Sequence, residues 1–298
     1  MRVRIPATTA NVGCGYDSFG MALGYYNYID CEKAKQATVQ IVGEGARHLP
    51  LNSQNIMLRA AQAVYDETEC GPATLSLTAH NNIPLSRGMG SSSAAIVGGL
   101  YAANQILGGP LSVEKLLLLA TKIEGHPDNV APALLGGFTI VAYEGNNQRI
   151  KRLKLPQALK VVLAIPDFPV STQKARSILP LKVKLADAVY NLSHAAFLAA
   201  SLAEGDLQGF GNMLDDHLHQ PYRFQLIPGG VAVAEAARAA GALGCVISGS
   251  GPTMVAFHNG GEELGMVIGE TMMSSFEEHR VRAKIIQVAT DDAGTVVM

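Results

Sequence analysis

The sequence predicts a fold of mixed helices and strands in a chain long enough for two domains. Apolar residues alternate with small or polar ones at 73–78, as in a half-buried strand, and recur at helical spacing after residue 93. Hydrophobic residues make up 48% of the chain, which is ample for a buried core. A length of 298 residues suits one large domain or two ordinary ones.

Short apolar runs, turns and capping residues predict the elements along the chain. A first strand begins at Val3 and is expected to end at Pro6, because proline cannot donate to a strand ladder. Asn55 and Ser112 suit helix caps, so one helix is expected from Asn55 to about Glu69 and another after Ser112. The same patterns predict strands at 28–32, 37–42, 138–143 and 160–165, a last strand at 281–288, helices from 91, 171, 185 and 267, and a turn at 144–147.

The predicted domain boundary follows the turn at 144–147, which has little apolar content. We therefore expect an N-terminal domain over 1–152 and a C-terminal domain over 153–298. In the second, apolar residues at helical spacing predict a long helix whose apolar face belongs to the core. These residues are Leu185, Val189, Leu192 and Ala196.

A glycine-serine segment lies between a predicted strand and a predicted helix. Gly88 and Gly90 stand directly before the serines 91–93, where free N–H groups and the helix dipole favour an anion. This order suits a phosphate site, although a capped helix after a tight turn uses the same residues. The candidate nucleotide-binding residues are Pro84, Leu85, Ser86, Arg87, Gly88, Met89, Gly90, Ser91, Ser92, Ser93 and Ala94.

Two commoner nucleotide motifs are absent from the sequence. A Walker-type loop needs glycine followed by lysine, and no lysine in this chain follows a glycine. The dinucleotide fingerprint needs a third glycine where Ser93 stands. A nucleotide site here therefore belongs to another class.

Composition excludes several other classes of protein. The net charge is −2 without a basic block, which argues against a nucleic-acid partner. The four cysteines are widely separated, so neither a zinc site nor a redox motif is expected. No apolar run approaches the ~20 residues that span a bilayer, and the N-terminus lacks a signal-peptide pattern. We expect a cytoplasmic protein without a membrane partner.

Two further polar segments carry candidate functional residues. Asn11 and Asp17 lie in a glycine-rich stretch at 7–20, where a turn and a ligand loop are both consistent with the residues. The stretch 124–129 contains Glu, His, Asp and Asn around a proline, which suits either a helix-capping loop or phosphoryl transfer. For phosphoryl transfer, Glu124 and Ser92 would supply the oxygen ligands that a divalent cation such as Mg²⁺ requires.

The glycine-serine segment resembles the phosphate loop of the GHMP kinases, named after galactokinase, homoserine kinase, mevalonate kinase and phosphomevalonate kinase. Met89 replaces the usual leucine and Ser93 the first alanine, and neither change removes a backbone donor. The resemblance implies a two-domain α+β fold. Its N-terminal nucleotide-binding domain would be like that of a ribosomal protein, and its C-terminal domain would be ferredoxin-like.

Four other segments resemble homoserine kinases within that family. They are the stretch at 7–20, the His-Pro-Asp-Asn-Val-Ala-Pro run at 126–132, the segment that ends at Arg176, and the glycine loop 246–253. Arg223, further along the chain than Arg176, matches a second arginine of the family. The resemblance implies ATP-dependent phosphorylation of the L-homoserine hydroxyl in threonine biosynthesis, with Mg²⁺, and a homodimer. The substrate residues it implies are Asn11, Asp17, His126, Asn129, Thr172, Arg176, Arg223 and Gly249.

The resemblance also implies roles at the reacting centre. Arg176 and Arg223 would hold the substrate carboxylate, which two guanidinium groups can bind bidentately. Asp128 would take the hydroxyl proton, or Asn129 would orient the hydroxyl in a reaction without a protein base. Two alternatives to this function remain: a family kinase acting on mevalonate, shikimate or a sugar, and a non-catalytic ligand sensor on the same fold.

Overall fold

The chain forms two β-sheets packed by helices in the computed structural model, which describes residues 1–144 and 147–298. The seven-stranded sheet follows the order β11-β1-β2-β4-β3, and β5 pairs with both β2 and β6. All its pairings are antiparallel except that of β3 with β4. Its strands are β1 (Arg2–Ala10), β2 (Phe19–Lys33), β3 (Thr38–Gly43), β4 (Leu75–Asn81), β5 (Phe138–Glu144), β6 (Asn147–Leu153) and β11 (Val296–Val297).

The second sheet is antiparallel and has the order β10-β7-β9-β8. Its strands are β7 (Lys160–Pro166), β8 (Gly244–Ile247), β9 (Met254–His258) and β10 (Ala283–Ala289). The helices are α1 (Ile56–Glu67), α2 (Ser91–Ile106), α3 (Val113–Glu124), α4 (Pro127–Leu135), α5 (Thr172–Ser177), α6 (Leu185–Glu204), α7 (Leu207–Asn212), α8 (Gln220–Arg223), α9 (Gly230–Ala239) and α10 (Glu262–Glu278).

Side-chain caps start three of the helices whose beginnings the sequence predicted, because the first backbone N–H groups of a helix have no partner within it. Asn55 accepts a hydrogen bond from Met57 N at the start of α1. Ser112 caps α3 and Ser171 caps α5 in the same way. The predicted helix starts at these three residues are confirmed.

The prediction that Pro6 ends the first strand is wrong. Strand β1 continues to Ala10, and its register with β2 shifts between Pro6 and Ala7. An irregularity of this kind is where a sheet tolerates the missing N–H of proline. The loop expected at 7–20 is correspondingly shorter. The strand expected to be last is followed by β11, which pairs with β1.

One large core joins the two sheets. It contains Ile5 and Phe138 from the first sheet together with Leu163 and Phe257 from the second. A smaller core lies between the second sheet and helices α9 and α10. The division at residues 152 and 153 stays a prediction, and the pairing of β11 returns the C-terminus to the first sheet.

The prediction that the apolar stripe of α6 belongs to the core is wrong. Leu185, Val189 and Leu192 are 81%, 54% and 72% exposed, and Ala196 is exposed as well. The helix instead buries a face that includes Asn191 and Leu198. Spacing identifies an apolar stripe, but it does not say what covers that stripe.

The centre of the turn expected at 144–147, residues 145 and 146, lies outside the described residues. Across 1–144 and 147–298, no helix combines the length and apolar character that a membrane span would need.

Candidate active site

The start of α2 presents backbone N–H groups that no side chain of the described residues caps. Gly90 is the N-cap, with φ +69°, and the helix begins at Ser91. Ala94 N is bonded to Gly90 O at 2.8 Å, whereas the N–H groups of residues 91–93 precede this first helical bond. The macrodipole adds partial positive charge at the same point, so this helix end suits phosphate oxygens.

The loop before α2 is packed so closely that two of its positions require glycine. A Cβ at Gly88 would lie 2.1 Å from Ser248 O, and one at Gly90 would lie 1.9 Å from Thr8 Oγ1. Ser248 Oγ donates to Gly88 O at 2.6 Å, and Thr8 N donates to Met89 O at 3.1 Å. The loop is therefore held from both sides by backbone and hydroxyl contacts.

Arg87 fixes the loop to the second sheet. Its guanidinium donates to Pro166 O at 2.9 Å, to Leu85 O at 3.1 Å and to Asp167 O at 2.7 Å. Because three carbonyl oxygens use its donors, the side chain acts here as a link between the loop and β7. Its role in nucleotide binding stays a prediction.

Glu124 ends α3 directly beside the start of α2. Its carboxylate accepts hydrogen bonds from Ser92 Oγ at 2.9 Å and from Ser93 Oγ at 2.7 Å. The described residues contain no group of three or more His, Cys, Asp or Glu side chains that could enclose a metal ion. The carboxylate and hydroxyl oxygens fit a hard cation such as Mg²⁺, which usually takes few protein ligands and completes its shell with phosphate and water.

A histidine-aspartate pair begins α4. His126 Nδ1 lies 2.5 Å from Asp128 Oδ1, and Asp128 is buried. This hydrogen bond raises the pKa of His126 above its ordinary value. Next to the pair, Asn129 Oδ1 accepts from Thr8 Oγ1 at 2.8 Å. The Asn129 NH₂ group makes no hydrogen bond with the described residues, so it can donate to a ligand.

Arg176 and Asp17 form a bidentate ion pair across the opening of the site. The two N–O distances are 2.7 and 2.9 Å, and Arg176 also donates to the Tyr16 hydroxyl at 3.2 Å. Asn11 supports the pair, because its Oδ1 accepts from Asp17 N and its Nδ2 donates to Gly249 O. Asn11 and Asp17 both have positive φ, a conformation that Asn and Asp adopt more readily than most residues.

Arg223 also brings a guanidinium to the site and is 2% exposed. It donates to Gly249 O at 2.8 Å and to Ala175 O at 3.4 Å. Burial lowers its pKa. Within 1–144 and 147–298, no carboxylate lies at ion-pair distance from it, unlike Arg176. The Tyr16 ring lies 5.1 Å from the Arg223 Cζ and 5.8 Å from that of Arg176.

These groups line one cavity, with a volume of about 150 Å³. Most candidate site residues border it: Asn11, Pro84, Ser86, Arg87, Gly88, Met89, Gly90, Ser91, Ser92, Ser93, Glu124, His126, Asp128, Asn129, Thr172, Arg176, Arg223 and Gly249. Of the other candidates, Asp17 contacts the site through Arg176, whereas Leu85 and Ala94 are not among the lining residues. The lining shows proximity, and the functional role of each residue stays a prediction.

Sequence reasoning did not select several residues that the structure brings to the site. Val170 and Ser250 line the cavity, Thr8 bonds to Asn129, and the Tyr16 ring lies beside both arginines. Thr8 and Tyr16 belong to the glycine-rich stretch at 7–20, so that segment was the available signal. Ser250 belongs to the glycine loop 246–253, which was its signal, whereas Val170 had none.

Known proteins resemble this chain along its whole length. Residues 55–137 match the family model of the GHMP kinases N terminal domain, and residues 198–264 match that of the GHMP kinases C terminal. Over 296 residues the chain is 47% identical to a homoserine kinase of Moorella thermoacetica, covering 99% of both. The chain belongs to the homoserine kinase family of the GHMP kinases.

Other relatives agree with this membership. A homoserine kinase of Carboxydothermus hydrogenoformans is 42% identical and covers 99% of this chain and 95% of its own. The crystal structure of a homoserine kinase from Cytophaga hutchinsonii matches with a TM-score of 0.91 at 32% identity, over 100% of this chain and 97% of that one. The predicted family and two-domain α+β fold are confirmed.

The hydrogen bond between His126 and Asp128 should affect both the pKa of His126 and the pH dependence of the protein's stability. In Asp128→Asn, the His126 pKa should fall, because the carboxylate that favours the imidazolium is gone. A raised folded-state pKa contributes stability below about pH 6.5 that is lost as pH rises through the folded-state value. The variant should therefore lose more stability in acid than in base.

Histidine resonances followed by NMR across pH in both proteins measure this shift. Thermal unfolding of both proteins at acidic and basic pH measures the stability difference. A His126 pKa that stays the same in the variant would contradict the assignment of Asp128 as its cause.

Proposed function

We propose that the chain transfers the γ-phosphoryl group of ATP to the hydroxyl of L-homoserine, giving ADP and O-phospho-L-homoserine, a step of threonine biosynthesis. Full-length relatives named homoserine kinase support this reaction. The observation that carries it is one cavity in which a glycine-serine loop at a helix N-terminus borders two arginines and a histidine-aspartate pair.

The charges of the cavity match a zwitterionic amino acid. Away from the phosphate loop, Arg176 and Arg223 supply positive charge to the cavity, and Asp128 and, through its ion pair with Arg176, Asp17 supply negative charge. We infer that the substrate carboxylate binds the guanidinium of Arg223 together with Arg176, because Arg223 has no carboxylate partner in the part of the chain that the structure describes. The carboxylates of Asp17 and Asp128 give the ammonium group a negative environment.

The loop and the start of α2 provide the nucleotide side of the reaction. Backbone N–H groups of residues 88–93 would hold the phosphates of ATP, since no side chain caps this helix end among the described residues. Ser92 and Glu124 would hold a divalent cation, for which we propose Mg²⁺. When bound, such a cation neutralises the developing charge on the transferred phosphoryl group.

The hydroxyl proton has two possible routes. Asp128 can accept it as a base, but its Oδ1 is already hydrogen-bonded to His126 Nδ1 at 2.5 Å. Alternatively, the NH₂ group of Asn129, oriented by Thr8, holds the hydroxyl in line while the proton passes to the phosphoryl oxygens. A loose transition state permits the second route, because positioning supplies most of the catalysis.

ADP release tests the reaction directly. Purified protein with ATP and Mg²⁺ should release ADP with L-homoserine, and not with mevalonate, shikimate, galactose or no acceptor. A chelator should abolish the activity, and added Mg²⁺ should restore it. Turnover with another acceptor alone would overturn the roles of Arg176 and Arg223 in substrate binding. ATP binding without turnover would favour the ligand sensor.

The same assay separates the two proton routes. If Asp128 is the base, Asp128→Asn should lower kcat by ~10²–10⁴, since that is what general bases contribute. A loss of only a few-fold would exclude that role and favour the route through Asn129. Nucleotide affinity should stay unchanged in either case, which serves as the control for folding.

We also infer that two copies of the chain associate through the apolar face of α6. Leu185, Val189 and Leu192 are exposed along this face, and Leu181 and Val183 are exposed just before the helix begins. Large exposed apolar patches are uncommon on monomers and mark interaction surfaces. A self-complementary helix face suits a two-fold dimer.

Sedimentation equilibrium should give the mass of a dimer, and Leu192→Glu should shift it toward the monomer because the interface would bury a charge. Leu118→Glu is the matched control, since Leu118 is also half-exposed but lies on α3. A monomeric unmodified protein would exclude the dimer, and a Leu192→Glu dimer would place the interface elsewhere.

A further inference from the structure

A fully buried histidine lies behind the substrate arginine. His219 precedes α8, one helical turn before Arg223, and is 0% exposed. Its Nε2 lies 2.8 Å from Gly13 O, and its Nδ1 lies 3.4 Å from Arg223 Nη1. The proposed phosphoryl transfer does not use this side chain.

These two contacts determine the tautomer of His219. A carbonyl oxygen can only accept, so Nε2 must carry the proton that is donated to Gly13 O. A guanidinium can only donate, so Nδ1 must be the unprotonated acceptor for Arg223. The imidazole is therefore neutral and bonded at both nitrogens.

Asp216 holds the backbone on which His219 sits. Its buried carboxylate accepts from the N–H groups of Leu218, His219 and Gln220 at 3.0, 2.9 and 2.6 Å. Asn191 Nδ2 donates to the same carboxylate at 2.7 Å. With its acceptors filled in this way, Asp216 fixes the position of the imidazole relative to Arg223.

The orientation of Arg223 follows from its contacts. Nη1 donates to both Gly249 O and His219 Nδ1, and Nε donates to Ala175 O. Nη2 makes no hydrogen bond within the part of the chain that the structure describes, and Arg223 lines the cavity. Three donors are thus held by the protein, and Nη2 remains for a ligand.

We propose that His219 is a positioning residue for the substrate: its neutral imidazole accepts from Arg223 Nη1 and directs the guanidinium at the amino-acid carboxylate. This inference rests on the proposed function, since it assigns that carboxylate to Arg223. His219 would act through Arg223 and would itself contact neither ATP nor homoserine.

The geometry makes carboxylate binding sensitive to protonation of His219. Burial lowers its pKa, so the acceptor at Nδ1 is present at neutral pH. Protonation in acid would set an N–H against the guanidinium and bring two cations together. The charged and titratable groups around the imidazole are Arg223, Asp216 with Oδ2 3.6 Å from Nε2, Tyr16 and Asp17.

Steady-state kinetics of His219→Gln test the role. We expect the KM for homoserine to rise on the order of tenfold, the effect of losing a hydrogen bond to a charged group, with kcat and the KM for ATP nearly unchanged. The acid limb of kcat/KM for homoserine should move in the variant. His217→Gln is the matched control, because His217 is exposed two residues away.

A double-mutant cycle separates positioning from general structural damage. In an Arg223→Met background, His219→Gln should cause no further loss of homoserine affinity in calorimetry, because the residue acts through Arg223. An equal loss in both backgrounds, or an unchanged KM in His219→Gln, would overturn the proposal. No homoserine turnover by the unmodified protein would instead reject the proposed function.

The tautomer provides a second test that needs no substitution. Nitrogen-15 NMR of protein with labelled histidines should show that, at neutral pH, His219 carries its proton on Nε2 and that its Nδ1 is unprotonated. A proton on Nδ1, alone or in an imidazolium, would overturn the proposal even if His219→Gln fails to fold.

Discussion

The phosphate loop is confined between the two sheets, and this confinement sets the geometry of the site. Thr8 of β1 holds it on one side, Ser248 after β8 on the other, and Arg87 ties it to the end of β7. These approaches are possible only because Gly88 and Gly90 have no Cβ. Since the sheets also share one core, the positions of nucleotide and acceptor depend on the same packing.

The two arginines of the site differ in how their charge is balanced. Arg176 is half-exposed and already paired with Asp17, so a ligand must share it. Arg223 is buried, and two carbonyl oxygens and the His219 imidazole accept from its Nε and Nη1, but no carboxylate within the described residues balances its charge. An unpaired buried cation costs free energy in the empty protein, and an incoming carboxylate offsets that cost.

Local signals in the sequence were sufficient for the helix caps and the glycine-serine loop, because each depends on residues within a few positions. The resemblance to family motifs identified site residues that lie far apart in the sequence. Neither source showed that Arg176 pairs with Asp17, or that His219 lies behind Arg223, because these contacts depend on how the two sheets pack. The continuation of β1 past Pro6 and the exposed stripe of α6 were missed for the same reason: neighbouring strands and partners decide them.

The pairing of β11 with β1 has a consequence for synthesis. Strand β11 covers the edge of β1, and Thr295 Oγ1 donates to Ala133 O in α4, the helix that carries Asp128. During translation, β1 therefore keeps an open edge until residues 296–297 have emerged. Every strand of the second sheet lies between β1 and β11 in the sequence, so the first sheet is completed only after the second sheet has been synthesised.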